Sequence, residues 1–389
     1  MSGTAKASVG ECTEILSGFA FNSKQFGDGG DLPIIRIRDI VRGYSETFYN
    51  GDFDPKFTIY DGDILIGMDG EFNRAKWKGG EALLNQRVCR ISSNTDQLDS
   101  SYLFHFLPPA LKKIEDETPF VTVKHLSVKK IRDIEIPLPS LEEQRRIAGI
   151  LDKAEALRAK RRAALNLLAS LSQSIFLEMF GDPVANPMEW PVKNSGSLFA
   201  VPPRIGTTIP ARGTGVLVVR VGEVGSSQIA FGKCGRVEIP DKDFEKFKLE
   251  EGDVIIARAI GSKNQLGKAS LFLGHGEPVV IDSHVMRMRP DKTECDPVWF
   301  YSFLSSDRGK LILQKAGGAT AVQFNINAKQ AASLKIPVPP LKLQQQFADR
   351  ILSLEKLKAA HRKSLAELDA LFASLQDRAF KGELGNIES

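Results

Sequence analysis

The sequence predicts an α+β protein: two repeated mixed α/β domains, separated by two long helices that form an antiparallel coiled coil with pseudo-two-fold symmetry. Three observations carry this. First, Ile136-Pro137-Leu138-Pro139-Ser140-Leu141, followed by Gln144 and Ile147-Ala148, returns 200 residues later as Ile336-Pro337-Val338-Pro339-Pro340-Leu341, followed by Gln344 and Phe347-Ala348. Second, a long apolar-periodic run follows each copy, and the two runs end on related motifs, Phe180-Gly181 and Phe380-Lys381-Gly382. Third, short β-branched runs bounded by Gly and Asp precede each copy, as strands do. The repeat is far longer than solenoid periods of about 20–50 residues, so it marks a duplicated domain rather than an array.

In chain order, Ile34–Ile37, Gly62–Ile66 and Arg87–Ile91 are expected strands, and Ser101–Leu107 a short amphipathic helix. Their partners are Val216–Val221, Gly252–Ala257, His284–Met288 and the helix Pro297–Ser305. The offset between matched elements climbs from 184 to 190, 197 and finally 200 residues. Small steps mean short insertions in loops, where they are tolerated. A scaffold kept in register with differing loops points to two modules of one fold with different binding specificities. The Ile-Pro-x-Pro stretches cannot be helical, because each Pro pushes its predecessor to an extended conformation. They are expected to be stiff connectors that launch the helices.

The first long helix is expected from about Leu141 to Phe180. Ile147, Ile150, Ala154, Leu157, Ala164, Leu168, Leu171 and Ile175 fall on one heptad frame, with Leu151 and Leu165 beside them. The second helix offers Phe347, Ile351, Leu354, Leu357, Leu365, Leu368, Leu371, Phe372 and Leu375. Such heptads want a partner helix, and each has its twin; polar breaks stand at Arg161 and His361. The alternative, each helix packing only on its own domain, leaves too much apolar surface on a rod of about 60 Å. The division is then 1–138, a first domain; 139–181, a first spacer helix; 182–337, a second domain; and 338–389, a second spacer helix with a C-terminal tail.

Composition is compatible with this division. At 389 residues two to three domains are expected. The net charge of +4 permits a nucleic-acid partner without demanding one. Cys12, Cys89, Cys234 and Cys295 form no C-x-x-C pair, which argues against zinc and for a reduced cytosolic protein. The N-terminus carries Lys6, Glu11 and Glu14 where a signal peptide needs an apolar run, and no stretch approaches 18 apolar residues. A soluble cytoplasmic protein without membrane contact is expected.

The order of domain, Ile-Pro-Leu-Pro-Ser-Leu-Glu-Glu-Gln-Arg-Arg-Ile-Ala, long helix ending Phe-Gly-Asp-Pro, second domain, Ile-Pro-Val-Pro-Pro-Leu-Lys-Leu-Gln-Gln-Gln-Phe-Ala and second helix resembles the specificity subunit of type I restriction-modification systems over essentially the whole chain. The resemblance implies two target recognition domains, each reading one half of a split double-stranded DNA site, held apart by an antiparallel helical ruler. It implies no catalytic activity or cofactor in this chain. Two methylation subunits would dock on it and modify adenine, and restriction subunits would add ATP-driven translocation and cleavage; S-adenosylmethionine, ATP and Mg would be bound by those partners. One departure is local: Leu341-Lys342-Leu343-Gln344 replaces the acidic Leu141-Glu142-Glu143-Gln144, so a subunit contact there need not be symmetric.

Arg, Lys, Asn and Gln make the bidentate contacts that read guanine and adenine edges. Loops rich in them follow the second matched strand of each half: 69–78, with Asn73, Arg74, Lys76 and Lys78, and 258–268, with Arg258, Ser262, Lys263, Asn264, Gln265 and Lys268. Arg36 and Arg220 occupy matched strand positions beside Asp39 and Glu223, where a structural Arg–carboxylate pair is the competing reading; Arg38 lies next to them. Gln86 and Arg87, His284, Lys124 in the polar turn Thr122–His125, and Gln323 and Asn325 in the turn Gln323–Asn327 complete the DNA-binding candidates. Any of these can equally be an ordinary solvated loop.

Two motifs are set aside. Gly261-Ser262-Lys263-Asn264-Gln265-Leu266-Gly267-Lys268-Ala269 has five residues between its glycines where a phosphate-binding loop has four, and no Ser or Thr after the Lys. The Pro-Pro pairs lack the flanking Asn or Asp and aromatic of an amino-methyltransferase, and the five histidines fall at no metal-ligand spacing. Three readings therefore compete: a DNA-specificity adaptor, an enzyme with its own catalytic domain, and a coiled-coil scaffold that does not bind DNA. The missing motifs count against the second, and the differing loops against the third.

Overall fold

The computed structural model describes residues 5–118, 124–225, 229–260, 266–319 and 324–384. They form two compact units, Met1–Arg161 with Ser364–Ser389 and Arg162–Lys363. The longer helices are α1 (Ser100–Glu117), α2 (Leu141–Phe180), α3 (Pro297–Ser305), α4 (Asp307–Ala316) and α5 (Leu341–Phe380). The two long helices have the bounds that the sequence predicts, and each unit holds part of both.

In unit 1 a four-stranded antiparallel sheet is built from β1 (Thr13–Ser17), β2 (Ile64–Gly67), β3 (Arg74–Lys76) and β4 (Val88–Ser93), in the order β1-β4-β2-β3. Strand alternation sends Ile64, Ile66, Cys89 and Ile91 to one face. There they share a core with Tyr102, Leu103 and Leu107 of α1, Ile147 and Leu151 of α2, and Phe372 of α5. Leu65 and Val88 face the other way, onto Ile35, Ile59, Trp77 and Leu84 beneath a second, mixed sheet.

Unit 2 repeats the plan with β5 (Phe199–Ile205), β6 (Val254–Ala257), β7 (Ala269–Leu271) and β8 (Val285–Pro290), in the order β5-β8-β6-β7. Val254, Ile256, Met286 and Met288 pack with Trp299 and Phe300 of α3, Phe176 and Phe180 of α2, and Phe347 and Ile351 of α5. The Ile-Pro-x-Pro segments are extended, as expected, but they are paired strands rather than free connectors. Glu135–Pro137 pairs with Lys6–Ser8, and Lys335–Pro337 with Val192–Asn194.

Several predicted boundaries shift for local reasons. The strand expected over Ile34–Ile37 spans Leu32–Ile35, and Arg36 opens a helix, Ile37–Arg42. The cause is Asp39, whose Oδ2 accepts the Arg36 backbone N–H at 3.0 Å and removes it from strand pairing. The match in unit 2 ends at Val219, and Glu223 Oε2 accepts the Arg220 N–H at 2.8 Å. Arg36 and Arg220 thus follow their strands. Gly62 (φ +96°) and Gly252 (φ +99°) lie in turns before Ile64 and Val254, and Arg87 (φ +71°) precedes β4 instead of starting it. His284 likewise precedes β8.

The helix expected over Ser101–Leu107 runs for 18 residues, straight through Pro108-Pro109. Pro109 cannot donate to the carbonyl four residues back, that of His105. Gln376 Nε2 of α5 donates to that oxygen instead, at 2.7 Å.

The heptad frame is half right. Ile147, Ala154, Leu168 and Ile175 face inward, but Leu157 and Leu171 are 51% and 42% exposed, as are their repeats Leu357 and Leu371 at 46% and 51%. The other half of the seam lies one residue on, at 151, 158, 165 and 172. Two of those positions are Arg158 and Ser172, so a search for apolar residues slides onto the neighbouring leucines. In unit 1 Arg158 Nε donates to Asp369 Oδ1 at 2.6 Å and its guanidinium stacks on Phe372, 4.4 Å from the ring centroid. In unit 2 the equivalent Lys358 donates to Glu355 at 2.7 Å and to Ser172 Oγ at 2.9 Å. Within each unit the two helices therefore run antiparallel: early residues of one meet late residues of the other. A window of 18 residues in α2 has a mean hydropathy of 1.3, enough for a membrane span by length and composition alone; Asn166, Ser170, Ser172, Gln173 and Ser174 interrupt its apolar run.

Candidate nucleic-acid interface

In unit 1 three loops that are distant in sequence meet where β2 ends and β4 begins. The Met68 N–H donates to the Arg87 carbonyl at 2.8 Å, Leu126 N–H to the Met68 carbonyl at 2.7 Å, and Gly70 N–H to the Lys124 carbonyl at 2.9 Å. These bonds lock the turn at 85–87 and the segment at 124–126 onto the start of the 69–78 loop. Asp69 is the hub among the side chains. Its Oδ1 lies 2.7 Å from His125 Nδ1 and 3.3 Å from Arg87 Nη1, with Oδ2 3.2 Å from the same Nη1. Arg87 and His125 are half exposed while Asp69 is mostly covered.

Unit 2 builds the same junction with different side chains. Arg258 N–H donates to the His284 carbonyl at 2.9 Å, and Ile326 N–H to the Arg258 carbonyl at 2.9 Å. Arg258, at the position of Met68, spends its guanidinium inside the protein: Nη1 donates to the Ser283 carbonyl at 2.8 Å, Nε to the Ile326 carbonyl at 3.2 Å, and Nη2 to Asn325 Oδ1 at 3.4 Å. Burial lowers its pKa. His284 is half exposed, its Nδ1 3.1 Å from Asp282 Oδ2.

The remaining candidates divide by what holds them. Arg74 lies flat on Phe104, 3.4 Å from the centroid, and burial lowers its pKa to about 10, so it stays charged at neutral pH. Lys76 donates to Ser101 Oγ at 2.8 Å and approaches the same ring. Both face α1 rather than solvent. Lys124 Nζ is held by the Glu115 carbonyl. Arg36 donates to Thr47 Oγ1 and lies 3.5 Å from Asp39, and Arg220 pairs with Glu223 at 2.9 Å, so the structural pairing occurs at both. Arg38 is exposed, 3.7 Å from Asp39. Lys78, Gln86 and Lys268 are exposed, and Asn73 Nδ2 donates to Glu71 at 3.3 Å. Ser262, Lys263, Asn264, Gln265 and Gln323 lie outside the described residues.

Asp69 and His125 were within view as members of polar loops but carried no mark of their own. They are 56 residues apart, and no periodicity connects them. Each unit also has a cleft between the helix on its four-stranded sheet, α1 or α3, and the long helices. In unit 1, Arg74, Phe104, Glu155, Arg158 and Phe372 line about 470 Å³. In unit 2, Leu271, Tyr301, Glu355, Lys358 and Ser172 line about 360 Å³. Phe104 and Tyr301, Glu155 and Glu355, and Arg158 and Lys358 are repeat equivalents, so this is one cleft made twice, with two cationic side chains in each (Arg74 and Arg158, Lys358 and Arg362) and a second carboxylate, Asp369, in unit 1. Among the described residues no group of three or more His, Cys, Asp or Glu is gathered as a metal site would need.

The duplicated sheets, the paired long helices and the twin loop junctions define a two-module recognition protein. The model of the type I restriction modification DNA specificity domain matches residues 1–167 and 232–370, and the chain belongs to that family: it recognises DNA sequence, acts with other subunits, and is not itself the catalyst. The type I restriction enzyme EcoBI specificity subunit of Escherichia coli is 26% identical, over 97% of this chain and 86% of that protein. The StySPI specificity subunit of Salmonella potsdam is 22% identical, over 98% and 89%. Among solved structures, the S subunit of the M. genitalium type I restriction-modification system superposes with a TM-score of 0.60 at 16% identity, covering 97% of this chain and 96% of that one, which shows the shared fold.

Proposed function

We propose that this chain directs a type I complex to a split DNA sequence, with unit 1 and unit 2 each reading one half. The long helices set the distance between half-sites and carry two methylation subunits, which modify an adenine in each half; restriction subunits join through the same complex. S-adenosylmethionine, ATP and Mg belong to those partners, and the assembly works in the cytoplasm. The observation that carries this reading is the loop junction built twice on one backbone plan. Met68, Arg87 and Leu126 make the same main-chain bonds as Arg258, His284 and Ile326, while the surrounding side chains differ. Identical scaffolds with different side chains are what two different half-sites require. The duplicated cleft beside the coil supports docking at two equivalent places, with unequal chemistry. A helix of 40 residues is about 60 Å long, or roughly eighteen base pairs at 3.4 Å each, more than one helical turn of DNA.

The test is methylome sequencing of cells that express this chain with its neighbouring methylation subunit, against cells lacking the chain. A split motif with adenine modified in both halves, present only with this chain, is expected. Exchanging residues 182–335 for those of another family member should change one half alone. Lengthening both helices by whole turns should widen the spacer. A motif that changes in both halves after one exchange would refute the modular reading.

A further inference from the structure

The unit 1 junction contains an arrangement not found among the described residues of unit 2. Arg87 holds a left-handed backbone conformation, φ +71°, which a residue with a side chain rarely adopts and which the fold must impose. Its carbonyl is bound by Met68, and the next residue, Val88, is tied to Gly18 and Asn85 by backbone bonds. The strained turn therefore fixes where the side chain leaves the backbone. One nitrogen of the guanidinium, Nη1, then spans both oxygens of Asp69, at 3.3 and 3.2 Å. That leaves Nη2 and Nε, one edge of the planar fork, directed away from the carboxylate. Two parallel donors on one edge match the O6 and N7 acceptors of guanine in the major groove. His125 shares the same carboxylate through Nδ1 at 2.7 Å. In the tautomer that gives its Nδ1 proton to Asp69, Nε2 is an acceptor, suited to the exocyclic amine of cytosine or adenine. At the unit 2 junction Arg258 has its donors turned inward onto carbonyl oxygens.

We propose that Asp69 is a positioning residue that sets Arg87 as the reader of one guanine in the first half-site, with His125 held beside it on the same carboxylate. This rests on the reading of unit 1 as a half-site recognition module. Preorganisation is the physical gain: a long arginine ordinarily loses rotamer freedom on binding, and here the turn and the carboxylate have already removed it.

The experiment is the motif logo from methylome sequencing of cells carrying the methylation subunit with wild-type, R87A, R87K, D69N or D69E chains, together with recovery of the assembled complex. In R87A and R87K one guanine position of one half should relax by about tenfold or more in discrimination, with the other half unchanged. D69N should relax the same position, and D69E should restore much of the preference, which a merely structural carboxylate would not do at a single base. An unaltered logo in R87A and D69N, with the split motif intact, overturns the proposal and leaves the two-module reading standing. Relaxation at different positions in the two variants, or D69N losing methylation at every site while R87A retains it, also overturns the proposal. If wild type gives no split motif, the two-module reading itself fails.

Discussion

Gln144 joins the first long helix, α2, to α1 through a single hydrogen bond with Asp99. Its Oε1 accepts the Asp99 N–H at 2.9 Å, while its Nε2 donates to the Gln97 and Pro139 carbonyls at 2.8 and 2.9 Å. Asp99 in turn caps α1, its carboxylate accepting from Ser101 and Tyr102. In unit 2, Gln344 Oε1 accepts from Asp296, which caps α3 through Val298 and Trp299, and its Nε2 donates to the Pro339 carbonyl at 2.8 Å. The repeated Pro-Leu-x-x-Gln segment thus has a structural purpose. It fixes the long helix to the start of the helix that covers the four-stranded sheet in each unit.

Both glutamines are fully buried, and truncation strands their partners without water. Gln144→Ala should cost unit 1 about 3 kcal/mol, and Gln344→Ala should cost unit 2 about 2 kcal/mol, since each stranded group costs roughly 1–3 kcal/mol. Hydrogen exchange at Asp99 and the first turn of α1 should accelerate in the first variant only. Unchanged exchange there would mean that the cap holds without the glutamine.

The seam of the long helices makes a second prediction. Arg158 is mostly buried, paired with Glu155 and Asp369 and stacked on Phe372. Arg158→Ala removes all of these and leaves two carboxylates facing a gap, at about 2 kcal/mol of destabilisation by denaturant unfolding. Arg158→Met fills the space but removes the same countercharge; Glu155 and Asp369 are 40% and 44% exposed and keep their water, so the lost pairing is worth about 1 kcal/mol or less and the variant should cost less than the alanine. Equal losses in the two variants would show that charge, not packing, holds the position.

The helices and the duplication were legible because they repeat: periodicity and an offset that changes only in small steps are long-range signals that one sequence contains. The pairing of Arg158 with Asp369 was not, because a charged residue on the seam is indistinguishable by composition from one on the solvent face. The same limit explains the recognition loops. Sequence located the 69–78, 85–87 and 122–125 segments separately, but their meeting depends on sheet order, which brings β2 beside β4. Arg74 and Lys76 read as free cations until Phe104 of α1 is seen beneath them. The helix expected over Ser101–Leu107 continues through Pro108-Pro109 because its compensation, Gln376, arrives from 267 residues further along the chain.

Arg258 should behave unlike Arg87. Its donors tie the 258, 283 and 325–326 segments together, so Arg258→Ala loosens the whole junction of unit 2. The expected outcome is weaker methylation at every sequence variant of one half-site, with faster proteolysis of unit 2, and no relaxation confined to one base. A clean single-base change in the motif logo would instead make Arg258 a reader.

His105 gives a pH prediction whose sign is fixed by its surroundings. The side chain is almost wholly buried under α5, and burial lowers its pKa below the ordinary value of 6.5; the Asp152 hydrogen bond at 2.7 Å pulls it back upward, and Arg74 and Lys76 lower it further. A histidine whose folded pKa lies below its unfolded pKa binds its proton more readily when unfolded. Its contribution is fully present above the unfolded pKa, near 6.5, and is lost as pH falls from there toward the lowered folded value. Unit 1 of the wild type should therefore lose stability on acidification through that window, in addition to the effect of its carboxylates. His105→Gln keeps a polar side chain that can still reach Asp152 and has no proton to gain, so its unfolding midpoint should change less between pH 7 and pH 5. Parallel pH profiles for the two proteins would show that His105 does not titrate differently in the folded and unfolded chains.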